Sequence, residues 1–191
     1  KENHIKLEKV SKNLYIGIDP GKTGAISFLD DDGKVVLCAP SPQIGTSWDR
    51  FGMVKLIKDF WLDTEYEIIH AVLEDIHATH MAGNTGSFTM GQGVGIWQGI
   101  LPSLEIPHSL ITPSEWQKRI WVNTNKQYKL SSTGKTKVVD TKATSLLTVK
   151  NLFPNQNLLA TTRSKVPHDG MVDSLLIAKY CFLMNKGKLD S

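Results

Sequence analysis

The sequence predicts one α/β domain built on a mixed sheet. Three observations carry this. Three apolar runs separated by turn signals fill the first forty residues, the pattern of an antiparallel meander. After them, strand-like runs alternate with segments of helical periodicity, which calls for parallel pairing. A length of 191 residues suits one sizeable core and falls short of two ordinary domains.

The first strand is the apolar run Leu14 to Ile18, which ends at Asp19 and is punctuated by Pro20-Gly21. Gly24 to Leu29 forms the second strand, Asp30-Asp31-Asp32-Gly33 the turn, and Lys34 to Ala39 the third strand. Residues 41–47 read as a polar loop. From Trp48 a helix follows, its apolar side formed by Phe51, Val54, Ile57, Phe60 and Trp61. Ile68 to Leu73 is a further strand, ending in Glu74 and Asp75, and the aperiodic segment 76–87, with His77 and His80, reads as a loop beside that end.

Phe88 to Glu105 is expected to be helical, although Gly91, Gly95 and Gly99 each cost about 1 kcal/mol relative to Ala. Glycines four apart make a smooth stripe for another backbone, either within the chain or from a second subunit. Ser109 to Ile111 is a short strand. Thr112-Pro113-Ser114-Glu115 then has a capping-box pattern and opens a helix reaching about Trp121. Residues 122–140 lack an apolar stripe and read as a basic, mobile loop. Thr141 starts a helix with Ala143, Leu146, Leu147, Val149 and Phe153 as its buried side, and Asp169 to Met184 is the last helix.

Hydrophobic residues make up 40% of the chain and charged residues 21%, the balance of a globular domain. No apolar run approaches the ~20 residues of a membrane span, and residues 1–13, an N-terminal extension, have the character of neither a signal nor a transit peptide. An intracellular site of action is expected, with Cys38 and Cys181 as reduced core thiols. The net charge of +3 is unevenly spread. The window 116–150 holds eight basic residues, Lys118, Arg119, Lys126, Lys129, Lys135, Lys137, Lys142 and Lys150, against Asp140 alone, so it carries +7 and the remainder −4. That asymmetry fits one surface for an anionic polymer and another region that gathers carboxylates. A solvated Lys-rich loop without a partner is the plainer alternative.

Asp19 and Glu74 end strands that would be neighbours, and Asp169 and Asp173 share one face of a helix able to pack on them. Each has an ordinary explanation: Asp19 opens a turn, Asp169 caps a helix and Asp173 faces water. Together, four acids without a Cys pair or His triad suit hard cations, Mg²⁺ or Mn²⁺, rather than Zn²⁺.

Ile16-Gly17-Ile18-Asp19-Pro20-Gly21 with Gly24-Ala25, then Val72-Leu73-Glu74, then His168-Asp169-Gly170-Met171-Val172-Asp173 with Ser174 to Ala178, resemble the successive acidic motifs of RuvC-type Holliday-junction resolvases. The likeness runs from about residue 13 to 184. It is closest to the phage and organellar branch, where the last two acids are four apart as here. The resemblance implies an RNase H-like fold and a homodimer that nicks two strands of a four-way junction with divalent metal. It places the glycine stripe in the dimer helix. It also implies catalytic and metal-binding roles for Asp19, Glu74, Asp169 and Asp173, with Asp19 bridging two ions and His168 or a lysine near the scissile phosphate. Lys118, Lys126, Lys129, Lys135, Lys137 and Lys142 are then candidates for DNA phosphates. His77 and His80 join them, although packed or surface histidines are the plainer reading. The host cytoplasm for a phage protein, or an organelle for a eukaryotic one, is the implied location.

An ATPase of the sugar-kinase and actin type also follows a strand with Asp-x-Gly and Thr, but it needs two such domains and a second phosphate loop. A DNA-binding module without catalysis is disfavoured by the four acids. RNase H-like cleavage of other branched DNA or RNA–DNA hybrids is the nearest rival.

Overall fold

An unbroken apolar run makes the central strand, β1 (Lys12–Asp19), whose middle is buried on both faces. The computed structural model describes residues 12–62, 65–76 and 83–189, with the side chains of 61 and 62 excepted. After β1 come β2 (Ala25–Leu29), β3 (Val35–Pro40), a small hairpin of β4 (Gln43–Ile44) and β5 (Ser47–Trp48), and helix α1 (Arg50–Leu62). Then follow β6 (Tyr66–Glu74), α2 (Gly83–Ser103), β7 (His108–Ile111) and α3 (Pro113–Ile120). A second hairpin, β8 (Tyr128–Leu130) and β9 (Lys137–Val139), leads to α4 (Thr141–Leu152) and α5 (Asp169–Asn185). His77, His80 and most of the N-terminal extension lie outside the described residues.

The main sheet has the order β3-β2-β1-β6-β7. Its first three strands are antiparallel, and β1, β6 and β7 run parallel, so both the meander and the mixed sheet are as the sequence predicts. Alternation along β1 sends Leu14, Ile16 and Ile18 to one face, where Met53 and Ile57 of α1 and Trp97 and Leu101 of α2 cover them. Tyr15 faces the other side, against α5 and α3. Gly17 lies under α5: a Cβ there would stand 2.0 Å from the Ala178 nitrogen and 2.3 Å from the Ser174 oxygen. Only glycine lets the α5 backbone rest on the strand at that point. A buried hydrogen bond of 2.8 Å between the Ser27 and Ser174 hydroxyls fixes the helix on β2 as well. Cys38 and Cys181 are free thiols, pushed up by burial to about 11 and about 12. Among the described residues no helix is long and apolar enough to cross a membrane.

Several sequence expectations are corrected. The polar loop 41–47 contains the β4–β5 hairpin. In α1, Phe51 is 90% exposed and Met53 takes the buried position. Asp49 accepts from the Gly52 amide at 2.9 Å and the helix starts after it, at Arg50, so Phe51 falls on the outer side of the first turn while Met53 and Ile57, four apart, meet the sheet. Residues 83–87 belong to α2 rather than to a loop.

The basic segment 122–140 contains the β8–β9 hairpin, whose short strands are too exposed to show an apolar face. In α4, Val149 is buried as expected and Leu146 and Phe153 pack part-buried against the same core, but the fully buried companions of Val149 are Thr144, Ser145 and Thr148. Thr144 and Thr148 donate to the carbonyls four residues back at 2.8 Å each, which satisfies their hydroxyls inside the helix. Among the described residues the glycine stripe has no packing partner, since a Cβ at Gly91, Gly95 or Gly99 would meet nothing within 4 Å. The close approach is at Gly93, where a Cβ would lie 2.1 Å from the Pro20 carbonyl oxygen.

Candidate active site

Parallel pairing of Ile18 with Leu73 puts the ends of β1 and β6 side by side, so Asp19 and Glu74 leave the sheet at one edge. Gly93 seats α2 against the turn that follows Asp19. The start of α5 closes the same edge. Its N-cap is His168 rather than Asp169, with Nδ1 accepting from the Met171 amide at 3.2 Å, so Asp169 and Asp173 occupy its first turns.

Asp19 accepts from the Gly21 amide at 2.8 Å, and so it does open the turn. It is also pushed up to about 6, chiefly by burial and further by the charge of Asp169, with the Gly21 hydrogen bond opposing. Glu74 is 7% exposed and pushed up to about 8 by burial, then by Asp19 and Asp173. The indole N–H of Trp116 donates to its Oε1 at 2.7 Å and opposes that rise. Asp173 is pushed up to about 7 by burial and by Asp19, while a hydrogen bond from Ser145 opposes. Asp19 and Asp173 are each electrostatically coupled to all three other acids. Lys142 sits on Asp169 at 2.5 Å, which raises the lysine above its ordinary value. His168 is held below its ordinary value by burial, against the pull of Asp169.

The donor set is all oxygen, crowded, and short of positive charge, which is the chemistry a hard divalent cation fits. Among the described residues, no group of three or more His, Cys, Asp or Glu side chains is arranged to hold a metal ion as it stands. The acids are close enough to raise one another and not drawn round one point.

No protein-family model and no curated protein sequence matches the chain. Solved structures do. A Thermus thermophilus RuvC structure aligns with a TM-score of 0.55 at 15% identity, covering 93% of this chain and 97% of that one. T. thermophilus RuvC in complex with a Holliday junction substrate aligns with a TM-score of 0.52 at 12% identity and the same coverage. The chain has the RuvC fold. At this identity the RuvC likeness is one of architecture, an RNase H-like α/β fold spanning nearly the whole chain.

The lysines read from the sequence divide into three groups on this RuvC fold. Lys142 and Lys129 are held by acids, Lys129 by Asp140 at 3.3 Å. Lys135 and Lys137 stand exposed on the hairpin, and Lys118 and Lys126 line a pocket beside α3. Trp116, Ser145 and Gly93 were not legible as site residues. A tryptophan and a serine on amphipathic helices read as core and surface, and only the three-dimensional path brings them to the acids.

Proposed function

We propose that this chain is a divalent-metal-dependent endonuclease of the RNase H-like type, acting as a homodimer that resolves four-way DNA junctions by paired nicks. One observation carries the reading: four acids from three elements converge at one sheet edge, three of them pushed up to about 6, 8 and 7, on a RuvC fold. Junction DNA, the substrate held in one RuvC structure, is extended here to this chain.

Asp19, Glu74 and either Asp169 or Asp173, which raise one another across the edge, would hold the ions. Mg²⁺ or Mn²⁺ bound there supplies an activated water and positive charge for in-line displacement at phosphorus. The protein's own part is orientation. Trp116 holds one oxygen of Glu74, Ser145 holds Asp173, and the Gly21 amide holds Asp19. Lys142 shields Asp169 before any cation enters. The open glycine stripe of α2, extended by Phe88, which is 72% exposed, supports a subunit contact.

Incubating the protein and Mg²⁺ with labelled four-way junction, matched duplex, branched DNA lacking four arms, and RNA–DNA hybrid tests the reading. Paired nicks confined to the junction are expected. Preferential cutting of the hybrid would assign an RNase H-like activity instead, and no cutting of any of them would remove the nuclease.

A further inference from the structure

Beside the acidic edge lies a pocket of about 710 Å³ between α3 and the β8–β9 hairpin. That volume falls in the range of small-molecule sites, about 300–1,000 Å³. Its lining combines three chemistries. Tyr128 presents an aromatic face, with the nearly buried Trp121 behind the wall, Gln117 and Asn125 present amides, and Lys118 and Lys126 present positive charge. Tyr128 is 61% exposed, too much for a residue that serves the core. No acid is among the lining residues, so nothing in the wall neutralises the two lysines.

The pocket is built rather than incidental. Its outer wall is tied to α4 by the Gln127 amide donating to Thr144 Oγ1 at 3.0 Å and by a hydrogen bond of 3.1 Å between the Thr124 and Thr148 hydroxyls. Its inner wall leads directly to the acids. Trp121 packs edge-on against Trp116, with ring centroids 6.0 Å apart, and Trp116 donates to Glu74. Two packed indoles, Trp121 and Trp116, thus lie between the pocket and a candidate catalytic carboxylate.

We propose that this pocket takes a single unstacked nucleotide of a DNA strand. Its base stacks on Tyr128, its edge meets Gln117 and Asn125, and its phosphate is held by Lys118 and Lys126. Aromatic faces accept any base, amides reach its edge, and ammonium groups hold phosphate without reading sequence. The inference rests on reading the chain as an enzyme that acts on DNA. It adds that the enzyme holds the strand by a base taken out of the stack, close to the site of scission. Such a base is available where pairing is interrupted and unavailable in intact duplex.

The probe is octathymidylate carrying one 5-iododeoxyuridine, irradiated with the full chain in EDTA so that cleavage does not enter, with the same strand in a duplex as control. Adducts mapping to Tyr128 from the single strand, and not from the duplex, are expected. Tyr128→Ala should weaken single-strand binding by about tenfold or more, the loss of one base-aromatic stack, while Tyr128→Phe keeps it. Adducts elsewhere, equal adducts from duplex, or unchanged binding by Tyr128→Ala would overturn the proposal. Wild-type junction nicking is scored separately. Adducts at Tyr128 without nicking support the pocket and overturn the junction substrate, whereas nicking without those adducts overturns the pocket alone.

Discussion

Asp19 accepts its turn hydrogen bond through a carboxylate oxygen, at 2.8 Å from the Gly21 amide, and an asparagine carbonyl can accept the same bond. Asp19→Asn therefore keeps the turn and removes the charge that couples to Glu74, Asp169 and Asp173. If these acids hold catalytic metal, strand scission falls by about 10³-fold or more, since a metal ion supplies several kcal/mol of transition-state stabilisation. Junction affinity in a gel-shift assay should persist or rise, because one negative charge facing phosphate is gone. Near-normal cleavage by folded Asp19→Asn would leave Asp19 a turn residue. The four acids were legible because two close apolar runs and two stand four apart on a helix. The donors that orient them were not: Trp116 lies forty-two positions from Glu74, and Ser145 lies on a helix whose apolar pattern points elsewhere.

At the scale of elements, legibility followed pattern length. The long buried strands and α5 show clear runs, whereas β8 and β9 have three residues each and no buried face, so a hairpin read as a loop. In α4 the polar buried face defeats a rule based on apolar periodicity, because its threonines satisfy themselves on their own helix. The hairpin's exposed lysines yield a direct test. Replacing Lys135 and Lys137 by Ala should weaken junction binding and flatten its salt dependence by about one unit of slope per lost phosphate contact. An unchanged slope would make the hairpin plain solvated surface. Helix α2 yields another. A Cβ at Gly95 meets nothing within 4 Å, so Gly95→Leu is harmless to the lone chain and raises helix propensity by about 1 kcal/mol. It should nonetheless give monomers in sedimentation. A variant that remains dimeric would move the interface off the stripe.

For the whole molecule, an edge of crowded acids is a stability cost that depends on pH and on cations. Glu74 rises from 4.5 to about 8 on folding, and Asp173 from 3.8 to about 7. Between each pair of values the folded chain holds a proton that the unfolded chain has lost, so stability falls as pH rises through that window. His70 and His168, lowered by burial from 6.5, act with the opposite sign, and their contribution fades above that value as the unfolded histidines lose their protons. Asp31, whose carboxyl is lowered from 3.8 by its hydrogen-bond donors against a burial contribution, loses its contribution only in stronger acid. From pH 6.5 to 8 the acidic edge therefore increasingly dominates. In EDTA the Tm should fall across that interval, and Glu74→Gln should flatten the fall and raise the Tm at pH 8. Mg²⁺ or Mn²⁺ should restore more stability at pH 8 than at pH 6.5, because the ion binds carboxylates already ionised and only in the folded chain. A Tm indifferent to pH in this range, or equally indifferent to both ions, would mean that the four acids neither crowd one another nor await a cation.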